Sequence, residues 1–348
     1  MCLAACSRGK SSGHDDAAQN TPATGGQLGT NGGAPGSGGR MGSGGGSGTG
    51  GKVGTGGMQG GAGGANVAGN PDTSIAVDTA NDSSGSPRLD TSATSDDAKG
   101  ACPAGYKLTW SDEFDGPAGT AADATKWVYE SGNGSNGWGN SELEYYRTGN
   151  ANAAMDGNGN LVITAKQETA SGFQYTSARL KTQGLATWTY GHIEARIKLP
   201  SGQGIWPAFW MLGSDITTQS WPACGEIDIM ENIGKEPAIN HGSLHMPASG
   251  TSNDSQLTGS YTLANAKLSD DFHIYAIDWS ASGIDFFFDG SRYESQTPAS
   301  ATGRTWAFDK PFFILLNVAV GGQWPGSPDS TTTFPQTMTV DYVRVCQK

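Results

Sequence analysis

From Cys102 onward, apolar residues recur in short runs separated by Gly, Asn, Asp, Ser or Pro. Most runs alternate apolar and polar positions, the period of a strand with one buried face. NLVITAKQ follows the turn DGNG. FQYTSARLKT and GHIEARIKLP alternate, the second ending at Pro200 and Gly202. IWPAFWML and PFFILLNVAV are apolar along most of their length and predict buried strands. GEIDIMENI, NHGSLHM and FHIYAIDW follow the same habit. SASG joins IYAIDW to IDFFFDG as a hairpin, Asp289-Gly290 marks a further tight turn, and TMTVDYVRV closes the chain. No segment carries a long 3.6-residue period. Many short strands with almost no helix predict an all-β sandwich or barrel.

The first hundred residues break the pattern. Stretches such as GGRMGSGGGSGTGG offer too little apolar surface to offset the entropy of ordering, so residues 1–100 are expected to be a disordered tail. The chain's 348 residues would permit two domains, yet all ten Trp, ten Tyr and eleven Phe lie beyond residue 100. One core is therefore expected, in residues 101–348. The net charge of −12, with no Lys/Arg cluster, argues against a nucleic-acid partner. Residues 3–6, LAAC, resemble the lipobox of bacterial lipoproteins, which would lipidate Cys6. That resemblance implies a signal peptide truncated ahead of it, a cell-surface or extracellular location, and membrane anchoring through Cys6 alone. No run of about 20 apolar residues suggests a spanning helix. Cys102 and Cys346 bracket the domain and would bridge if the first and last strands are neighbours in an oxidising compartment; otherwise they are free thiols at frayed ends. Cys224 would then be unpaired, and the absence of CxxC argues against a zinc site.

The chemistry concentrates in CGEIDIMENIG, residues 224–234. Strand alternation puts Glu226 and Asp228 on one face and Ile227 and Ile229 on the other. Glu231 lies three residues beyond Asp228, which in a regular strand would bury it with the isoleucines at high cost. One extra residue, a β-bulge around Met230, would return Glu231 to the acidic face, and such bulges are common beside active sites. Like charges so close cannot all ionise easily, which yields a carboxylate beside a carboxylic acid. Retaining glycoside hydrolysis uses that pair, with carboxyl groups about 5–5.5 Å apart. The two glutamates sit roughly 13 Å apart along the backbone at about 3.3 Å per residue, so their side chains must lean together. Asp228, between them, is placed to tune one partner. The competing interpretation is a solvated or calcium-binding strand, although calcium sites favour loops rich in Asn, Asp and Gly.

GEIDIMEN carries the E-x-D-x-x-E signature of glycoside hydrolase family 16 and resembles its laminarinase-like, bulge-containing branch. WSDEFDG, WGNSELEYYR, YTSARLKT, YGHIEARIKLPSGQGIWPAFWML and NVAVGGQWPG support the likeness over most of residues 103–348. The resemblance implies a β-jelly roll with a concave substrate cleft and endo-hydrolysis of β-1,3-glucan with retention, without a catalytic cofactor. It implies Glu226 as nucleophile, Asp228 as its assistant and Glu231 as acid/base. Trp206, Trp210 and Trp221 flank the acids as sugar platforms or as core, with Trp206, Ala208 and Trp210 on one face and Phe209 on the other. Asn140 and Glu144 are candidate hydroxyl partners, although the family more often has Gln at the position of Glu144. Arg179 resembles an arginine of the negative subsites, and His245 and Trp324 are candidates for the cleft lining. The family's structural Ca²⁺ on the convex side makes Glu113 and Asp341 the matching ligand candidates. The expected partner is a polysaccharide, bound by a monomer. The alternatives are the same mechanism on mixed-linkage β-1,3-1,4-glucan or a galactan, and a non-catalytic glucan-binding module; such modules typically lose the catalytic glutamates, which are present here.

Overall fold

The computed structural model describes residues 102–348, and the tail with its lipobox lies outside them. Two antiparallel sheets face each other across one apolar core. The first runs Asp254–Thr262, Ile239–Pro247, Glu226–Glu231, Ile205–Gly213, Phe312–Val320, Arg179–Lys181, Val128–Tyr129. The second runs Ser291–Gln296, Gly283–Phe288, His273–Ser280, Gly191–Lys198, Gln336–Gln347, Leu161–Ala165, Ala153–Met155, with Lys107–Asp112 also paired to Gln336–Gln347. This is the β-jelly-roll sandwich. Its described helical content is one π turn, Gly137–Ser141, and one 3₁₀ turn, Gly149–Ala151.

Alternation explains how the first sheet builds a site. In Ile205–Gly213, Ile205, Phe209 and Met211 enter the main core, whereas Trp206, Ala208, Trp210 and Leu212 lie in two smaller clusters on the opposite face. Every residue of this strand is buried because both faces are covered, one by the second sheet and one by the walls of a cleft. Phe312–Val320 is buried throughout in the same way. The tryptophans thus sort by face as their spacing predicts.

FQYTSARLKT, which alternates like one strand, is two. Tyr175–Ser177 pairs in parallel with Glu144–Tyr146, whereas Arg179–Lys181 pairs with Phe312–Val320 in the cleft sheet. Ala178, fully buried, is where the chain changes sheets. The Cys102–Cys346 disulfide forms, with Cα atoms 5.9 Å apart, and ties the start of the domain to its last strand. Cys224 is buried and free, and burial together with the neighbouring Glu226 charge pushes its thiol up to about 12.

Candidate active site

The acid strand enters from a tight turn in which the Gly225 amide bonds the Pro222 carbonyl at 2.9 Å. Gly225 has φ +75, and a Cβ there would meet Phe312 Cζ at 2.9 Å. The bulge follows at Ile229. Against the tryptophan strand, Asp228 pairs with Trp210 and Met230 with Phe209, so Ile229 is the extra residue. Ile227, Ile229 and Met230 all lie in the main core, and Glu226, Asp228 and Glu231 all line the cleft. The phase slip between Asp228 and Glu231 is resolved as expected, with the extra residue one position earlier than Met230.

Strand register sets the cleft floor in rows. Leu212, Glu226, His245 and Gln256 align across the sheet; Trp210, Asp228, Ser243 and Thr258 form the next row; Ala208, Glu231 and His241 the third. Two adjoining cavities result, and Glu231 borders both. One contains Trp138, Asn140, Glu142, Arg179, Trp206 and the acids; the other contains His241, Ser243, His245, Gln256, Thr258 and Trp324.

Each glutamate is held by an indole. Trp221 Nε1 donates to Glu226 Oε2 at 2.9 Å, and Trp206 Nε1 donates to Glu231 Oε1 at 3.0 Å. Trp324 packs edge-on against Trp206 with ring centroids 5.5 Å apart. His245 bridges two carboxylates, with Nε2 3.3 Å from Asp228 Oδ2 and Nδ1 2.9 Å from Asp254 Oδ2. Burial opposes its charge, but the hydrogen bonds to Asp228 and Asp254 hold its pKa well above the ordinary range. Burial, then the Asp228 charge, pushes Glu231 up to about 8. Burial and Asp228 also raise Glu226, and the positive charges of His245 and Arg179 draw it back. Both glutamates are thus held above the ordinary carboxylate range; His245 draws both back, and Arg179 draws back Glu226 in addition.

Arg179 is buried between the rings of Trp138 and Trp210, 4.5 and 4.8 Å from their centroids, and pairs with Glu130 at 2.6 Å. Trp210 donates to Asn317 at 2.7 Å, Asn317 to the Tyr146 hydroxyl at 3.2 Å, and that hydroxyl to Glu142 Oε2 at 3.2 Å. Asn140 donates to Glu142 Oε1 at 3.0 Å. The turn that presents Trp138 and Asn140 is left-handed at Asn136, Gly137, Trp138 and Gly139. A Cβ at Gly137 would meet the Glu142 nitrogen at 2.3 Å, so only glycine fits there. Trp138 at φ +53 is the kind of strained bulky residue that marks functional sites.

All ten residues expected in the catalytic and sugar-binding set gather here: Trp221 contacts Glu226, and the other nine line the two cavities. Glu144 does not. It is fully buried and its Oε2 accepts from the Val320 amide at 2.7 Å, leaving Glu142 as the carboxyl that lines the cleft. Glu113 and Asp341 each meet an arginine. Arg344 grips Glu113 through Nε at 2.9 Å and Nη2 at 2.8 Å, and Arg196 holds Asp341 at 2.7 Å. Each of these carboxylates is therefore in an ion pair with a guanidinium group. Trp138, Glu142, His241, Ser243, Gln256, Thr258 and Asn317 were not anticipated. For Asn317 a signal existed: one amide inside the apolar run PFFILLNVAV.

Residues 141–344 match the family described as Glycosyl hydrolases family 16. A beta-glucanase of Rhodothermus marinus is 45% identical over 248 residues, covering 69% of this chain and 85% of that protein. The endo-beta-1,3-glucanase structure from Pyrococcus furiosus is 47% identical with a TM-score of 0.64, covering 70% of this chain and 94% of that one. The laminarinase catalytic domain of Thermotoga maritima MSB8 is 44% identical with a TM-score of 0.65, covering 70% of this chain and 98% of that one.

Proposed function

The chain belongs to glycosyl hydrolase family 16, and from that membership we propose that it is an endo-acting β-1,3-glucanase that cleaves laminarin-like polymers with retention of configuration. The observation that carries the mechanism is the bulged strand: Glu226 and Glu231 share the cleft face, flank Asp228, and each accepts an indole N–H. In the first step Glu226 attacks the anomeric carbon while Glu231 gives its proton to the departing glycosidic oxygen, forming a glycosyl–enzyme ester. In the second, Glu231, now a carboxylate, takes a proton from water as the water oxygen displaces Glu226 from the same carbon. Asp228 and His245, joined at 3.3 Å, act on both glutamates with opposite sign, and Arg179 favours the charged form of Glu226 in addition.

The cleft chemistry supports a neutral glucan. Among the described residues lining the two cavities, Arg179 is the sole Arg or Lys, and it is already paired with Glu130. A sulfated galactan would favour several unpaired cations, whereas the indoles suit the apolar faces of glucose rings. Two solved structures that this chain resembles are named as laminarinase and endo-beta-1,3-glucanase. Action outside the cell accords with the disulfide, and anchoring through a lipidated Cys6 would keep the enzyme at the surface.

Reducing-sugar release from laminarin, lichenan, agarose and κ-carrageenan separates the substrates. The expected order is strong activity on laminarin, weaker on lichenan and none on either galactan. Activity on a galactan with silence on laminarin would overturn the substrate and keep the mechanism.

A further inference from the structure

His245 and the two acids beside it form a second kind of site within the cleft. One donor atom from each of Glu226, Asp228 and His245 lies within 4.8 Å of the other two, and all three residues are buried. His245 Nε2 and Asp228 Oδ2 are 3.3 Å apart. Two donors bound to one Zn²⁺ at about 2.0–2.1 Å with a tetrahedral angle also stand about 3.3 Å apart. Glu226 Oε1 is buried and has no hydrogen-bond donor among the described residues, in contrast to Glu226 Oε2, which Trp221 holds. Behind the ring, Asp254 sits 2.9 Å from Nδ1 and fixes Nε2 toward the acids. A carboxylate behind an imidazole is the usual support of a metal-bound histidine.

We propose that Glu226, Asp228 and His245 form an inhibitory site for a divalent transition-metal ion such as Zn²⁺, with Asp254 as the positioning residue behind the histidine. One imidazole and two carboxylates suit zinc or copper; calcium takes six to eight oxygen ligands and has no use for the ring nitrogen. A metal bound there displaces the Nε2 proton of His245 to solvent and ties up the oxygens of Glu226, so that carboxylate cannot attack an anomeric carbon. It also places charge on the cleft floor, where the sugar must lie. Metal and glucan then exclude one another. The inhibition rests on the glucanase assignment above; the binding itself does not.

The test uses the full chain, freed of metal with a chelator that is then removed. Isothermal titration with ZnCl₂ compares wild type, His245→Gln and Asp254→Asn, with melting curves confirming that each is folded. The expected result is one binding event present in wild type, lost in His245→Gln, and weakened about 10–100-fold in Asp254→Asn. Taking the difference between proteins removes any binding elsewhere on the chain. In parallel, Zn²⁺ should raise KM for laminarin without lowering kcat, and Ca²⁺ or Mg²⁺ at the same concentration should do neither. Identical isotherms for wild type and both variants would overturn the site, as would Zn²⁺ lowering kcat at unchanged KM. If His245→Gln does not fold, Asp254→Asn decides by the same comparison. A protein that binds Zn²⁺ as described but leaves laminarin intact would refute the glucanase assignment while sustaining the metal site.

Discussion

Glu231 shows how burial becomes chemistry. Its carboxyl is pushed up to about 8 by desolvation and then by the Asp228 charge, so it carries a transferable proton through the neutral range. The sign follows directly: the acid form dominates below that value and is lost above it, so kcat/KM should fall on an alkaline limb near pH 8. Glu231→Gln should abolish that limb and lower kcat/KM on laminarin by about 10²–10⁴. A variant with near wild-type turnover and the limb intact would show that another group donates the proton. The acids were legible in the sequence because charged residues inside an apolar strand require an explanation. Asn317 obeys the same rule within a longer apolar run. Glu142 and Glu144 were not separable, since both belong to one acidic, aromatic block. Which of them lines the cleft depends on Glu144 being drawn off to the Val320 amide, a contact 176 residues away in sequence.

The bulged strand converts a pattern of three acids into one catalytic face. Because Ile229 and Met230 both turn inward, deleting Met230 leaves E-x-D-x-E, a regular alternation that keeps Glu231 on the cleft side. The deletion should therefore retain measurable hydrolysis while losing about 2–5 kcal/mol of stability with the buried methionine. Denaturant unfolding and laminarin hydrolysis check this together, and a stable fold with no activity would contradict it. Across the sandwich, His192 joins Gly191–Lys198 to His273–Ser280 through Asp278 at 2.7 Å, and also contacts Glu194 at 3.0 Å. Burial opposes its protonation, but those carboxylates raise its pKa to about 9. Its stabilisation is fully present below the unfolded value of about 6.5 and is lost as pH rises through about 9. Accordingly, His192→Gln should lower Tm most near pH 6 and hardly at all by pH 10; a pH-independent deficit would assign the loss to packing. Apolar strands were legible from period alone. Asp254–Thr262 was not, because DSQLTGSYT is a largely polar edge strand in which only Leu257 and Tyr261 pack on the core.

The whole domain follows from sheets that each cover one face of a single core, with the cleft on the outer face of one of them. Its all-β character was readable from the many short alternating runs, and the pairing of Cys102 with Cys346 depended on first and last strands being neighbours, which the topology supplies. That bond closes a sequence separation of 244 residues, so Cys346→Ser should cost about 2–5 kcal/mol of stability by denaturant unfolding while leaving kcat unchanged at 25 °C. An unchanged unfolding midpoint would show that the last strand holds without it. Everything proposed for the cleft converges on two displacements at one carbon. The decisive measurement is proton NMR of laminarin in the first minutes of hydrolysis, before mutarotation. Newly formed reducing ends should appear first as the β anomer. Initial appearance of the α anomer would mean direct attack by water, and the role assigned to Glu226 would fall.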